Sequence, residues 1–245
     1  MTTPRPKSAA AWSQDLKQRL RAGGSAALAR SNQRFFAEPI RSYGWKTAAL
    51  RRFARRSQRE IFAEGRLPLL LQVASRLFSG QVTEEKYLAV LLLENRTRDF
   101  GHAEFRRFER WLPRITNWAE HDALVHCLIG PMMLADRRRV ARAFLWVRSG
   151  NVWHRRAAAV SLIRATRRRL YFREITRLSG QLLSDPNQMV QKGLGWLLRE
   201  AAKADPARTV PYLMRIRARA PRLVLRTACE TLPPATRKRI LAPSD

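Results

Sequence analysis

The chain has 245 residues, is 45% hydrophobic, and carries 48 Lys and Arg against 19 Asp and Glu, a net charge of +29. That apolar share is enough for a packed core and excludes a disordered polycation. Self-repulsion on this scale adds nothing to folding, so the charge points to a polyanionic partner, with nucleic acid ahead of an anionic membrane surface. Arg far outnumbers Lys, and a guanidinium makes bidentate contacts with phosphate. Cys127 and Cys229 lack metal-ligand spacing and read as buried thiols of a reducing compartment. No apolar run reaches spanning length, Leu67 to Val73 being too short, so no membrane association is expected. Residues Met1 to Ala11 lack the apolar core of a secretory signal. The expected location is the cytoplasm of a bacterium, with the nucleoid.

Residues 1–10 read as a flexible basic arm, and residues 11–245 as a single domain. Helices are predicted over Trp12–Ala22, closed by Gly23-Gly24, and over Ala26–Ala37, with Phe35 and Phe36 near its end and Pro39 beyond. Ser42 to Thr47 is a turn, with Thr47 as a cap. Ala48–Ser57 follows, with Leu50 and Phe53 on one face and Arg51, Arg52, Arg55 and Arg56 on the others. Gly65–Phe78 is strongly apolar. Thr83 is placed to cap Glu84–Asn95, and Ala103–Trp111 runs up to Pro113. Asn117–Ile129 is the next helix, broken by Gly130-Pro131. Asp136 opens Arg137–Val147, and helices over Trp153–Thr166 and Leu170–Leu183 follow. Asp185-Pro186 and Asp205-Pro206 each read as a cap followed by Pro at the first helical position, opening helices to Ala201 and over Arg208–Ala218. Arg222–Thr231 and a short turn near Lys238 complete the chain.

No segment alternates with period two. Helix pairs recur about every 35 to 45 residues, the pattern of HEAT-like repeats. The fold class is therefore all-α: HEAT-like helical repeats stacked into a curved solenoid with a basic concave groove.

Three segments carry candidate chemistry. Trp118 and Asp122, four apart, share one helix face. Asn151-Val152-Trp153-His154-Arg155-Arg156-Ala157-Ala158 is the second. Gln191-Lys192-Gly193-Leu194-Gly195-Trp196-Leu197-Leu198-Arg199-Glu200 is the third. Around them, Arg137, Arg138, Arg139, Arg148, Arg155 and Arg156 sit at helix starts, where backbone N–H groups favour phosphate.

These segments, in this order, resemble the AlkD-like DNA glycosylases. That family carries Trp-x-x-x-Asp, Asn-x-Trp-x-x-Arg-Ala-Ala and Gln-Lys-Ala/Gly-x-Gly-Trp-x-Leu-Arg-Glu, and the likeness covers about residues 35 to 220. The resemblance implies excision of N3- or N7-alkylated purines from duplex DNA by a monomer, with neither metal nor cofactor, and without base flipping, so that bulky adducts are tolerable. It implies Asp122 as the catalytic carboxylate, Trp118 and Trp196 as aromatic walls at the lesion's deoxyribose, and Arg156 on a nearby phosphate. Arg148, Arg155, Lys192, Phe35 and Gln188 are the further expected DNA contacts, with Phe35 where a family Tyr stands.

The chain departs from the family at Ala119, where an acid is common, at His121, where a small apolar residue is usual, and at Gln188 and Met189, where relatives have aromatics. His121 reads as solvent-facing, with contact to DNA or an influence on Asp122 as the alternatives. Trp153, Tyr43, Trp45 and Trp111 read as packing, Arg199 and Glu200 as a structural ion pair or a capping device, and His126 and His154 as partly exposed. Two further functions fit the same segments: a non-catalytic protein that binds unusual DNA structures, and a self-resistance glycosylase for a bulky DNA-alkylating natural product.

Overall fold

The computed structural model describes residues 7–243, and every regular element among them is helical. Within the span expected as one domain, the chain divides into two compact units, Met1–Leu128 and Ile129–Asp245, which are taken separately. Of the expected amino-terminal arm, residues 1–6 lie outside the described residues. Ala9 and Ala10 already belong to helix α1 (Ala9–Ala22), whose first turn is closed by Ser8 Oγ accepting from Ala11 N at 3.1 Å.

The first unit continues with α2 (Ala26–Gln33), α3 (Thr47–Phe78), α4 (Thr83–Leu93), α5 (His102–Glu109) and α6 (Trp118–Leu124). Two boundaries differ from expectation. The end of α2 comes at Gln33 because that residue's amide binds the outgoing backbone: Nε2 donates to the Glu38 carbonyl at 2.9 Å, and Oε1 accepts from Ile40 N at 2.9 Å. Phe35 and Phe36 therefore lie in the turn that follows. The two helices expected over 48–57 and 65–78 join as α3, interrupted only at Gly65 and at Arg66, whose φ is 54°. Pro68 then falls in the first turn of the second arm, where a missing N–H is harmless.

The unit is organised on the first turn of α4, where Glu84, Glu85 and Lys86 are consecutive and all buried. Glu84 Oε1 accepts from Ser42 Oγ at 2.6 Å and Gly44 N at 2.9 Å, and Oε2 from Tyr43 N at 2.9 Å, so one carboxylate shapes the whole 42–45 turn. Gly44 sits at φ 79°, and a Cβ there would lie 2.0 Å from the Ser25 carbonyl oxygen, so no other residue fits. Glu85 pairs with Lys17 of α1 at 2.9 Å and accepts from Tyr43 Oη at 2.9 Å. Burial, reinforced by Glu85, pushes the Tyr43 phenol up to about 12. Lys86 Nζ donates to Glu120 Oε2 at 2.8 Å and to the Arg114 carbonyl at 2.7 Å, with both partners of the ion pair almost fully enclosed. Thr83, expected as a cap, instead donates its hydroxyl to Glu120 Oε1 at 3.1 Å.

The second unit comprises α7 (Gly130–Ala135), α8 (Val140–Trp146), α9 (Val152–Val160), α10 (Ile163–Thr166), α11 (Phe172–Leu182), α12 (Gln188–Ala204), α13 (Pro206–Ile216), α14 (Arg222–Ala228) and α15 (Pro234–Leu241). The expected break at Gly130-Pro131 does not occur. A π-helical turn, Val125–Ile129, precedes it, and the wider turn relieves the clash that a Pro ring makes with the carbonyl four residues back. The expected helix over 153–166 splits at Ser161-Leu162 into α9 and α10.

Long α12 is the spine of this unit and packs on α9, α14 and α13. Both glycines of its motif are close-approach positions. A Cβ on Gly193 would meet Arg156 Cγ at 3.1 Å, and one on Gly195 would meet Thr227 Cβ at 2.7 Å. The two Asp-Pro signals diverge. Asp205 caps α13 with Pro206 at its first position, as expected. For α12 the cap is Asn187, whose Oδ1 accepts from Met189 N at 2.8 Å, because the Asp185 carboxylate is taken by Arg155 at 2.6 Å.

Removing one partner of a buried ion pair strands the other charge. Lys86→Met is therefore expected to lower unfolding free energy by roughly 3–5 kcal/mol, with much of the loss recovered in Lys86→Met/Glu120→Leu, as read by denaturant unfolding. A single variant as stable as the parent would contradict this account of the α4–α6 contact.

Candidate nucleic-acid site

The first unit presents the Trp118–Asp122 segment at the start of α6. Asn117 caps that helix, its Oδ1 accepting from Ala119 N and Glu120 N at 3.1 Å each, while its Nδ2 donates to Thr83 Oγ1 at 3.2 Å. Glu120 additionally accepts from Thr116 N at 3.0 Å. The residues on either side of Trp118 are thus pinned to α4, and Trp118 itself points outward.

Trp118 is 38% exposed yet held on two sides. Its ring stacks on Phe36 at 5.2 Å and 19°, and its Nε1 donates to the Phe35 carbonyl at 3.2 Å. Beside it opens a cavity of about 290 Å³ walled by Phe35, Phe36, Trp45, Tyr87 and Trp118. The structure thus brings Phe35 to Trp118, as a backbone acceptor. The Phe35 ring is 59% exposed and lies under the Arg34 guanidinium at 4.9 Å.

Asp122 follows one turn along α6, with 20% of its side chain exposed. His121 is not solvent-facing as the sequence suggested. It is fully buried, and its Nδ1 lies 2.7 Å from Asp122 Oδ1. When Asp122 is ionised it can only accept at this contact, from a proton on Nδ1. The turn of α6 that buries Leu124 also turns His121 inward.

The second unit holds the remaining expected residues on and around α9 and α12. Asn151 caps α9, its Oδ1 accepting from Trp153 N at 2.8 Å and His154 N at 3.3 Å. Arg156 is buried, and its guanidinium donates to the Met189 carbonyl at 2.6 Å, which ties α9 to the first turn of α12. Arg155 donates to Asp185 and to the carbonyls of Ser149 and Gly150 at 3.0 and 3.1 Å, so it braces the turn before α9. Arg148, Gln188 and Lys192 are exposed, and Trp196 is half-buried. Trp153, expected in the core, is also only half-buried, as is Trp45, while Trp111 is buried and stacks on Phe78 at 4.4 Å. Arg199 and Glu200 approach at 3.7 Å, but each has a closer partner, Glu230 at 2.6 Å and Arg167 at 2.8 Å.

Phe36, the plate behind Trp118, escaped the sequence reading, although the Phe-Phe pair beside an expected contact was the available signal. The roles of Gln33, Lys86 and Glu120 left no trace in spacing or motif.

No curated protein matches the chain. A solved structure described as a predicted DNA alkylation repair enzyme from Enterococcus faecalis shares its fold, with a TM-score of 0.76 at 17% identity over 86% of this chain and 97% of that one. AlkD2 from Streptococcus mutans superposes with a TM-score of 0.61 at 17% identity, over 89% of this chain and 98% of that one. A family model described as DNA alkylation repair enzyme matches residues 16–232, and the chain belongs to that family.

Proposed function

We propose that this protein is a monofunctional DNA glycosylase that hydrolyses the N-glycosidic bond of cationic N3- or N7-alkylated purines in duplex DNA, acting as a monomer and without extruding the base. The observation that carries the reading is Trp118, an indole left open to solvent yet fixed by a stack and a hydrogen bond, one turn ahead of a partly open carboxylate. Large aromatic surfaces held rigid at the solvent boundary are the usual anchors of a ligand.

An alkylated purine is already positively charged and a good leaving group. As the C1′–N bond breaks, the base departs with the electron pair and becomes neutral, leaving positive charge on the sugar. Asp122 stabilises that oxocarbenium-like charge and orients water toward C1′, then accepts the proton that water releases. The π face of Trp118 favours the same cation, the role that the family resemblance also implies for Trp196. The cavity beside Trp118 gives room for a bulky substituent that stays outside the base stack.

Arg156, Arg148, Lys192 and Gln188 are assigned to the DNA backbone, Arg156 with its orientation fixed by Met189. Arg155 supports them from behind through Asp185. Exposed Arg52, Arg55 and Arg59 on one face of α3 add to the basic surface. His121 acts as a positioning residue for Asp122, since a 2.7 Å contact to one carboxylate oxygen fixes the rotamer of the other.

Asp122→Asn is expected to bind methylated duplex with unchanged affinity while slowing single-turnover release of 7-methylguanine by about 100-fold or more; undiminished release would end the catalytic assignment. His121→Leu is expected to reduce the same rate by roughly tenfold to 100-fold with unchanged DNA affinity, and His121→Gln, which keeps a donor, to recover part of it. Equal losses in both variants would indicate a packing role only. DNA affinity should fall steeply with salt, by about 0.9 log units per log unit of salt for each phosphate neutralised. A flat dependence measured by fluorescence anisotropy would remove the backbone contacts from the account.

A further inference from the structure

An open groove in the second unit is lined by none of the residues assigned to DNA in the proposed function. Within that unit α12 packs side by side with α9 and α14, the helices that carry Arg156, Lys192 and Trp196 or border them. Helices α8, α11 and α13 form another layer, joined by Arg177 over the Phe144 ring at 5.2 Å and by Tyr212 Oη donating to the Thr176 carbonyl at 3.1 Å. Ile175, Leu178 and Leu182 of α11 are buried, whereas Arg173 and Arg177 lie on its opposite, exposed face.

On that exposed face runs an open trough of about 610 Å³ across α8, α11 and α13. Its floor is Phe144 and Thr176, and its walls are Arg137, Arg173, Arg177 and Arg215. Only one acid lines it, Glu174, and the Arg137 guanidinium already holds that carboxylate. The other described acids of the unit are engaged as well: Asp136 by Arg138, Asp185 by Arg155, Glu200 by Arg167, Asp205 by Arg208 and Glu230 by Arg199. Arg173, Arg177 and Arg215 consequently face the trough without a carboxylate partner among the described residues.

We propose that this trough is a second nucleic-acid surface, which takes the phosphate backbone of a further DNA segment while the α9–α12 layer holds the first. Arg173 and Arg177 stand one helical turn apart, about 6 Å, a spacing that suits neighbouring phosphates on one strand. The Phe144 ring of the trough is covered rather than offered. Arg177 lies over Phe144, and Arg215 over Tyr212 at 5.3 Å, so the layer presents planar guanidinium edges that bind phosphate bidentately. Covered rings leave little for a lipid surface to embed, which favours a phosphodiester polymer over a membrane. A protein with two such surfaces bridges or hops between duplexes, and the bridging does not require base excision.

The test uses the full chain with biotinylated unmodified duplex on beads and a fluorescent duplex in solution. Wild type is expected to capture the second duplex. Arg173→Ser/Arg177→Ser/Arg215→Ser is expected to lose that capture by roughly tenfold or more, with binding to the bead-bound duplex and release of 7-methylguanine unchanged. The triple Arg→Lys variant, which keeps the charge, is expected to retain most of it. No capture by wild type, or capture undiminished in the Ser variant, overturns the proposal, whether or not the protein excises bases. A parallel arm with vesicles of phosphatidylserine and phosphatidylcholine assigns the trough to a membrane instead if only vesicle binding is lost in the variant, and that too overturns it.

Discussion

The first unit depends on a short run of buried polar side chains at the start of α4. Thr83, Glu84, Glu85 and Lys86 reach in turn to α6, to the 42–45 turn, to α1 and to α6 again. Buried charges of this kind are tolerated when they are paired or fully hydrogen-bonded: Glu85 and Lys86 each have an ion partner, and Glu84 accepts from Ser42 Oγ and the N–H groups of the 42–45 turn. The consequence is geometric. The first turn of α6 has no freedom to slide on α4, so the residues it carries outward, Trp118 and Asp122, have fixed positions. A hydrophobic contact of equal area would permit more sliding, since apolar packing is not directional.

The same economy of fixed side chains recurs around the candidate site. Trp118 is held by a ring and a carbonyl from the turn after α2, and that turn exists because Gln33 ends the helix early. Asp122 is held by buried His121. In the second unit, Arg156 is oriented by a carbonyl of α12 and packs on Gly193. Under the proposed function, groups that meet developing charge are effective when they need no reorganisation at the moment of reaction, and side chains already held in place meet that condition.

Much of this was legible in the sequence, for identifiable reasons. The helices showed themselves by apolar spacing and by caps such as Asp136 and Asp205. The Trp118–Asp122 spacing and the two glycines of the α12 motif carried the family resemblance that the family match upholds. What was hidden depends on contacts between residues distant in sequence. Acids in a helical first turn usually face water and favour the helix dipole, so Glu84 and Glu85 gave no hint of burial. Asp185 looked like a cap until Arg155, thirty residues earlier, was seen to occupy it. His121 could not be placed from composition, because only the α6 rotation sends it inward. Pro131 signalled a break that a π turn, invisible to periodicity, absorbs.

The most direct test of the central claim is the identity of the product. Duplex DNA bearing 7-methylguanine should be incubated with the protein, and both the small-molecule and strand fractions analysed by mass spectrometry. The account predicts free 7-methylguanine and an abasic site in an unbroken strand. Unmodified guanine restored in the duplex, or a strand cut at the lesion, would contradict it.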